Sequence, residues 1–331
     1  MRAICANAGL TLELRDIPKP EAPTPGHVTV QMDSATIMPG DKFFLTHPQP
    51  DGSMRGSRYD IFGSNGAGTV VAVGQGVPES SIGKKVAIYA AFAPSADTIG
   101  MWSEFAHVPN QSCLILPDYV RARDFSGSFA YVLTVYSFLS QMLEEGHKGV
   151  IVTAGSSATG LIAASLTRRR NVPAIFLVRS AEMRDVLLGH GVEHVLVTTE
   201  GDFPERLETL AEQLDTTAVF DAVGGELLTR ILPSLPIAST VYIYGLIGGD
   251  KPIEVTNVLM ISKKLTLRQF SSLECSTVED PDKLATALKD IELLIDDPLF
   301  RTRIGKEFPF EQFEEAMAYE GPPSARAVLV A

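Results

Sequence analysis

The run Gly149-Val-Ile-Val-Thr-Ala154-Gly-Ser-Ser-Ala-Thr159-Gly160, followed by Leu161-Ile-Ala-Ala-Ser-Leu166, decides how the rest of the chain is read. Val150 to Val152 form a short apolar run of the kind buried in a parallel sheet. The small residues after it predict a tight turn, and Leu161 to Leu166 open a helix. In a strand, turn and helix of this build, backbone N–H groups point outward at the positive end of the helix dipole, where a pyrophosphate can sit. Small side chains are needed there because larger ones hold phosphates away. The string reads Ala154-x-x-Ser157-x-x-Gly160 where a dinucleotide fingerprint has Gly-x-Gly-x-x-Gly, so two readings stand: a phosphate cradle, or a tight turn with no ligand.

Context favours the cradle. A second apolar run, Ala174-Ile-Phe-Leu-Val178, ends at Arg179-Ser180, with Arg179 placed 19 residues beyond Gly160. An acidic residue at that strand end would bind the ribose of NAD, whereas Arg179 favours a 2′-phosphate and hence NADP(H); a merely solvated arginine is the alternative. Helical spacing begins near Phe125, with Phe129, Leu133, Tyr136 and Leu139 to Met142 placed three or four apart. Beyond it, strands are expected at 150–154, 174–178, 194–198, 218–222 and 240–244, with 265–270 as a sixth. Helices are expected between them, at roughly 160–170, 181–189, 203–214 and 225–233. Such alternation implies an α/β fold with a doubly wound parallel sheet and helices on both faces.

The N-terminal third differs. Short β-like stretches at Leu10 to Leu14 and Val28 to Met32 flank a proline-rich segment, Pro18 to Pro25. After Ala35 to Phe44 and a polar loop running to Asp60, further strands are expected at Thr69 to Val73, Gly83 to Tyr89, Trp102 to Val108 and Ile115 to Pro117. Their spacing suggests a compact barrel-like domain. The tail is mixed: a helix over Pro281 to Ile295, a short stretch Glu307 to Phe310, a helix over Glu311 to Tyr319 and a last strand, Ala327 to Val330.

A length of 331 residues suits two domains or one large one, and 45% hydrophobic with 21% charged residues is ordinary for a soluble globular protein. A net charge of −12 argues against a nucleic-acid surface. The single basic cluster, Arg168 to Arg170, closes the helix begun at Gly160, where positive charge suits a helix C-terminus. The start, Met1-Arg-Ala-Ile-Cys-Ala, is too soon interrupted for a signal peptide, and no run reaches the length of a membrane span, so a cytoplasmic location is expected. Cys5, Cys113 and Cys275 are isolated thiols without metal-type spacing, in keeping with a reducing compartment. The six histidines, at 27, 47, 107, 147, 190 and 194, show no ligand spacing either.

Further motifs give the chain a family likeness. They are Ala35 to Phe44 with its Met38-Pro-Gly-Asp41, Phe62-Gly-Ser-Asn-Gly-Ala-Gly-Thr-Val-Val-Ala-Val-Gly74, Gly83-Lys-Lys-Val-Ala, Gly100-Met-Trp-Ser-Glu-Phe, Leu133-Thr134 and Phe220-Asp-Ala-Val-Gly-Gly225. In this order, over nearly the whole length, they resemble the medium-chain dehydrogenase/reductase superfamily, in its zinc-independent branch of quinone oxidoreductase and 2-enoyl thioester reductase-like proteins. The resemblance implies a GroES-like substrate domain over 1–125, a Rossmann NADP(H)-binding domain over 126–275, and a return of 276–331 to the first domain, with the active site in the cleft. It also implies a homodimer formed through the edge strand near Tyr242 or Leu265.

Zinc members carry a ligand Cys at the place of Met38 and a ligand His within Gly-His-Glu, which is Gly63-Ser64-Asn65 here. A thioether and a hydroxyl do not replace thiolate and imidazole on Zn²⁺, and a four-cysteine lobe is missing near 92–100, so no metal is expected. Without a Lewis acid, hydride transfer from NADPH suits a quinone or conjugated enone, which spreads the developing charge itself. The cofactor residues expected from the turn and the strand end are Ala154, Ser156, Ser157, Ala158, Thr159, Gly160 and Arg179, and the resemblance adds Thr134, Gly224, Gly225, Tyr244, Gly245 and Leu246. Asp41, Phe43, Asn65 and Tyr131 are the candidates for the substrate pocket, a packing role being open for Phe43 and Tyr131. Asp221 either organises its turn or touches ligand. The nearest tyrosine before Asn65 is Tyr59, six residues back, and a proton-donating Tyr at the thioester reductases' place is absent. Reduction of an enoyl thioester is one alternative, and a low-turnover NADPH-binding redox sensor is another.

Overall fold

The structure is a computed structural model that describes residues 1–7, 11–47, 58–93, 95–322 and 324–330. Leu10, at the head of the strand expected over Leu10 to Leu14, and most of the polar loop before Asp60 lie outside the described residues. The chain divides into two compact units, Met1–Ala130 with Leu288–Ala331, and Tyr131–Ala287.

The first unit opens with an antiparallel pair, β1 (Arg2–Ala6) and β2 (Leu12–Asp16). There follow β3 (His27–Thr36), α1 (Pro39–Thr46), β4 (Asn65–Val73), β5 (Lys85–Tyr89), β6 (Phe105–Pro109) and β7 (Cys113–Leu116). In β3, Val30 and Met32 are buried while Gln31 and Asp33 are exposed, the period of two that seats one face of a strand on a core. The strand expected from Trp102 starts at Phe105. The Trp102 peptide instead donates to Phe62 O and accepts from Ile4 N, and its indole fills the core. Helix α1 has no apolar periodicity to announce it. Pro39 presets its first turn, and the Asp41 carboxylate accepts the Met38 N–H at 2.8 Å.

The second unit runs α2 (Phe129–Glu144), β8 (Val150–Val152), α3 (Ala158–Arg169), β9 (Ala174–Val178), α4 (Ala181–Gly189), β10 (Val195–Val197) and α5 (Phe203–Gln213). It continues through β11 (Ala218–Asp221), α6 (Gly225–Ile231), β12 (Thr240–Ile243), α7 (Asn257–Lys263) and β13 (Thr266–Gln269), then α8 (Ser276–Glu279) and α9 (Pro281–Leu293). The six strands pair in parallel in the order β10-β9-β8-β11-β12-β13, as the near-continuous apolar runs of β8, β9 and β10 foretell. Ile151, Ile175, Val219 and Val241 are wholly buried at its centre. Each such side chain contributes about 1.5–3 kcal/mol on leaving water.

The chain then returns to the first unit with β14 (Ile304–Pro309), α10 (Phe313–Ala318) and β15 (Arg326–Val330). β15 pairs antiparallel with β3 and completes a sheet of order β14-β15-β3-β4-β5-β7, with β6 on β3. The fold is therefore a GroES-like β-domain and a Rossmann-type parallel sheet. Among the described residues, no helix is long and apolar enough to cross a membrane.

Candidate functional site

The order of the parallel sheet reverses direction at β8. From there the chain winds outward through β9 and β10, then restarts on the other side at β11. Two turns leave neighbouring strand ends on opposite sides of that switch, which is where open α/β sheets bind ligands. After β8, the Gly155 N–H donates to Leu177 O at 2.9 Å and the Ser157 N–H to Ala154 O at 2.9 Å. Ser157 caps α3, its Oγ accepting the Gly160 N–H at 3.1 Å. Helix geometry leaves the Ala158 and Thr159 amides without partners in a preceding turn. Ala154 keeps the left-handed conformation (φ 50°) that a fingerprint glycine would adopt freely. Gly160 lies so close to the turn that a Cβ would stand 2.3 Å from Gly155 O. Ser156 lies between them in the turn, half-buried.

The turn after β11 is built on Asp221, which is wholly buried. Its carboxylate accepts Thr153 Oγ1–H at 2.8 Å, Val223 N–H at 3.2 Å and Gly224 N–H at 2.8 Å, and Thr153 Oγ1 accepts the Ala222 N–H at 2.8 Å. Burial pushes the carboxyl pKa up against these bonds. Of the two roles open to it from sequence, Asp221 therefore has the structural one: it ties the two turns together. Gly224 takes φ +70°, open to glycine, at the head of α6, and Gly225 follows at φ +50°.

The chain leaving β12 runs close by. The Tyr244 N–H donates to Asp221 O at 2.9 Å, and its ring stacks on Phe220 with centroids 3.9 Å apart. The Tyr244 phenol is held well above its usual pKa by burial, with the Thr159 hydroxyl beside it, so it stays a neutral donor. Gly245 passes beside Ala222, and Leu246 is exposed. Thr134 on α2 is half-buried with its hydroxyl 3.3 Å from Ser272 Oγ, and Tyr131, first residue of the unit, is half-buried. Arg179 directly follows β9, two residues after the carbonyl that Gly155 holds, exposed and without an ion-pair partner among the described residues. The structure thus gathers the turns at 154–160, 221–225 and 244–246 at the same edge of one sheet.

In the first unit Asp41, Ser64 and Asn65 form one polar cluster. Asp41, 1% exposed, accepts Met38 N–H at 2.8 Å, Ser64 N–H at 3.2 Å and Ser64 Oγ–H at 2.8 Å, and Asn65 Nδ2 donates to Ser64 Oγ at 2.9 Å. Burial outweighs these bonds and raises the Asp41 pKa to about 6. Phe43 is half-buried on α1 and stacks on His47, with centroids 4.4 Å apart. Tyr89, paired with Asn65 across the sheet and close enough to feel the Asp41 charge, joins this cluster. Its only sequence signal is its place at the end of a strand, and the pairing is tertiary. These donors do not suit Zn²⁺. Met38 offers a thioether and Asn65 an amide, Asp41 is fully engaged, and no group of three His, Cys, Asp or Glu side chains converges among the described residues.

Residues 24–118 match the alcohol dehydrogenase GroES-like domain and residues 158–290 the zinc-binding dehydrogenase family. The chain is 23% identical over 325 residues to the synaptic vesicle membrane protein VAT-1 homolog of Rattus norvegicus, covering 90% of this chain and 74% of that protein. It is 24% identical over 306 residues to the quinone oxidoreductase of Pseudomonas aeruginosa, covering 92% and 90% of the two. The solved quinone oxidoreductase of Escherichia coli complexed with NADPH shares the fold, with a TM-score of 0.73 and 22% identity over 100% of this chain and 99% of that one. With both family domains matched in this order, the chain belongs to the medium-chain dehydrogenase/reductase superfamily, in its quinone oxidoreductase branch, and is an oxidoreductase.

Proposed function

We propose that the protein is an NADPH-dependent, zinc-free oxidoreductase that reduces quinones or α,β-unsaturated carbonyls by hydride transfer. One observation carries the reading: the small-residue turn at 154–160, the Asp221-built turn and the unpaired Arg179 all lie at the strand ends around the switch point of one parallel sheet. The names of the relatives support the acceptor class. When bound, the nicotinamide supplies the hydride. The chain's own part is to hold the diphosphate on the α3 amides, face the 2′-phosphate with Arg179, and pass backbone close to the cofactor at Gly224, Gly225 and Gly245. A quinone or enone delocalises the charge that the hydride brings, so the donor set around Asp41, unsuited to zinc, is no handicap.

Fluorescence titration with NADPH, followed by NADPH oxidation against quinones, enones and enoyl thioesters, tests this. Turnover of enoyl thioesters alone would make the protein a thioester reductase. Tight NADPH binding without turnover would make it a redox sensor. Arg179→Ala is expected to weaken NADPH about 10- to 100-fold, the loss of a charge-assisted contact, while NADH changes less than threefold. Equal losses for both would refute the 2′-phosphate assignment.

We place the protein in the cytoplasm as a homodimer. Cys5, Cys113 and Cys275 are buried free thiols, which suit a reducing compartment. β13 is the last strand of its sheet, and Val258 and Ile261 of α7, just before it, are 76% and 77% exposed. Sedimentation velocity is expected to give twice the chain mass, and Ile261→Asp to shift the population towards monomer.

A further inference from the structure

Asn65 begins β4 and Tyr89 ends β5, opposite each other in the antiparallel register. Beside them the Ala90 N–H donates to Ser64 O at 2.9 Å, which marks a non-hydrogen-bonded pair, the kind whose side chains stand closest. Asn65 is 2% exposed, and among the described residues its Oδ1 has no hydrogen-bond partner. The Tyr89 hydroxyl likewise bonds to nothing among the described residues. A buried acceptor left unpaired is costly, about 1–3 kcal/mol, and a ligand that supplies a donor relieves the cost.

The neighbours set which end of the Asn65 amide is left over. The Asp41 carboxylate can only accept, so the single Ser64 hydroxyl proton goes to it at 2.8 Å. Ser64 Oγ must then accept from Asn65 Nδ2, at 2.9 Å, and the amide oxygen is the unpaired end. Burial and the Asp41 charge push the Tyr89 phenol up to about 12, so it remains protonated and offers its O–H. The two side chains leave the same face of the sheet, one carrying a donor and the other an unpaired acceptor.

We propose that Tyr89 and Asn65 receive a conjugated carbonyl with a hydrogen-bond donor on the adjoining atom, as in an α,β-unsaturated lactam or imide, Tyr89 donating to the carbonyl oxygen and Asn65 Oδ1 accepting the adjoining N–H. This rests on the reductase reading for its chemistry. The β-carbon of the substrate takes the hydride of NADPH, the C=C electron pair moves to the carbonyl oxygen, and the Tyr89 O–H stabilises that oxygen without giving up its proton. Water then supplies the proton that the α-carbon takes up as the carbonyl re-forms. NADPH is oxidised to NADP⁺ and the C=C bond is reduced to a single bond.

Two saturated rings test the pair without turnover. 2-Pyrrolidinone and cyclopentanone have the same ring size and differ by N–H in place of CH₂. Ligand-observed NMR titrations of the intact protein are expected to show 2-pyrrolidinone bound about tenfold tighter. Tyr89→Phe is expected to weaken both rings severalfold and keep their ratio, with NADPH affinity unchanged. Equal affinities for the two rings, or a Tyr89→Phe protein that binds both as the parent does, would overturn the proposal. If the ratio is found and no lactam, quinone or enone oxidises NADPH, the reductase reading falls and the pair stands.

Discussion

Gly160→Ala is expected to raise the Kd for NADPH about a hundredfold, the loss of two charge-assisted hydrogen bonds, and to lower stability by about 2 kcal/mol. The new Cβ would sit 2.3 Å from Gly155 O, 2.6 Å from Gly155 C and 2.7 Å from Ala154 O. All three are backbone atoms, so no side chain can rotate away. Either the start of α3 retreats from the turn or the turn opens, and in both cases the Ala158 and Thr159 amides leave the place where a diphosphate would meet them. Fluorescence titration reads the first effect and thermal unfolding the second. A variant that unfolds earlier yet binds NADPH like the parent would mean that the phosphates sit elsewhere.

Asp221→Ala is expected to cost about 3–5 kcal/mol of stability, because it strands several donors in a dry place. Thr153 Oγ1–H, Val223 N–H and Gly224 N–H all lose their acceptor, and the residue they surround is 0% exposed. The Gly224 turn loosens with it, so NADPH binding weakens too. The effect has a pH signature. The Asp221 pKa is raised in the folded protein from an ordinary 3.8, so the native state holds the proton more tightly than the unfolded chain. The parent then gains stability from this group as pH falls through the raised value towards 3.8, and the alanine variant does not. Denaturant unfolding of the two proteins at neutral and mildly acidic pH should therefore show the gap widening in acid; a gap that narrows would contradict the burial argument.

Much of this arrangement was legible in the residues. The central parallel strands announce themselves because they are buried on both faces and so read as unbroken apolar runs, as Val150 to Val152 and Ala174 to Val178 do, whereas β13 at the sheet edge is partly exposed and reads Thr-Leu-Arg-Gln. The turn at 154–160 is legible from its small side chains, and Arg179 from its distance along the chain. Helices α1 and α7 were not. Pro39 with Asp41, and Thr256 accepting the Leu259 N–H, start these helices by single local contacts that leave no periodic trace. The Trp102 segment misleads for another reason: apolar residues that read as a strand are held by cross-chain bonds to Ile4 and Phe62.

The sequence by itself determined the fold class, the place of the small-residue turn after β8 and the poor match to a zinc ligand set, because periodicity, side-chain size and donor chemistry are properties of single residues and their neighbours along the chain. Only the tertiary structure decided that Asp221 joins two turns and that Tyr89 stands opposite Asn65. Hydrogen bonds across 68 residues and strand register depend on which surfaces meet, and that information is spread over the whole core rather than written at either position.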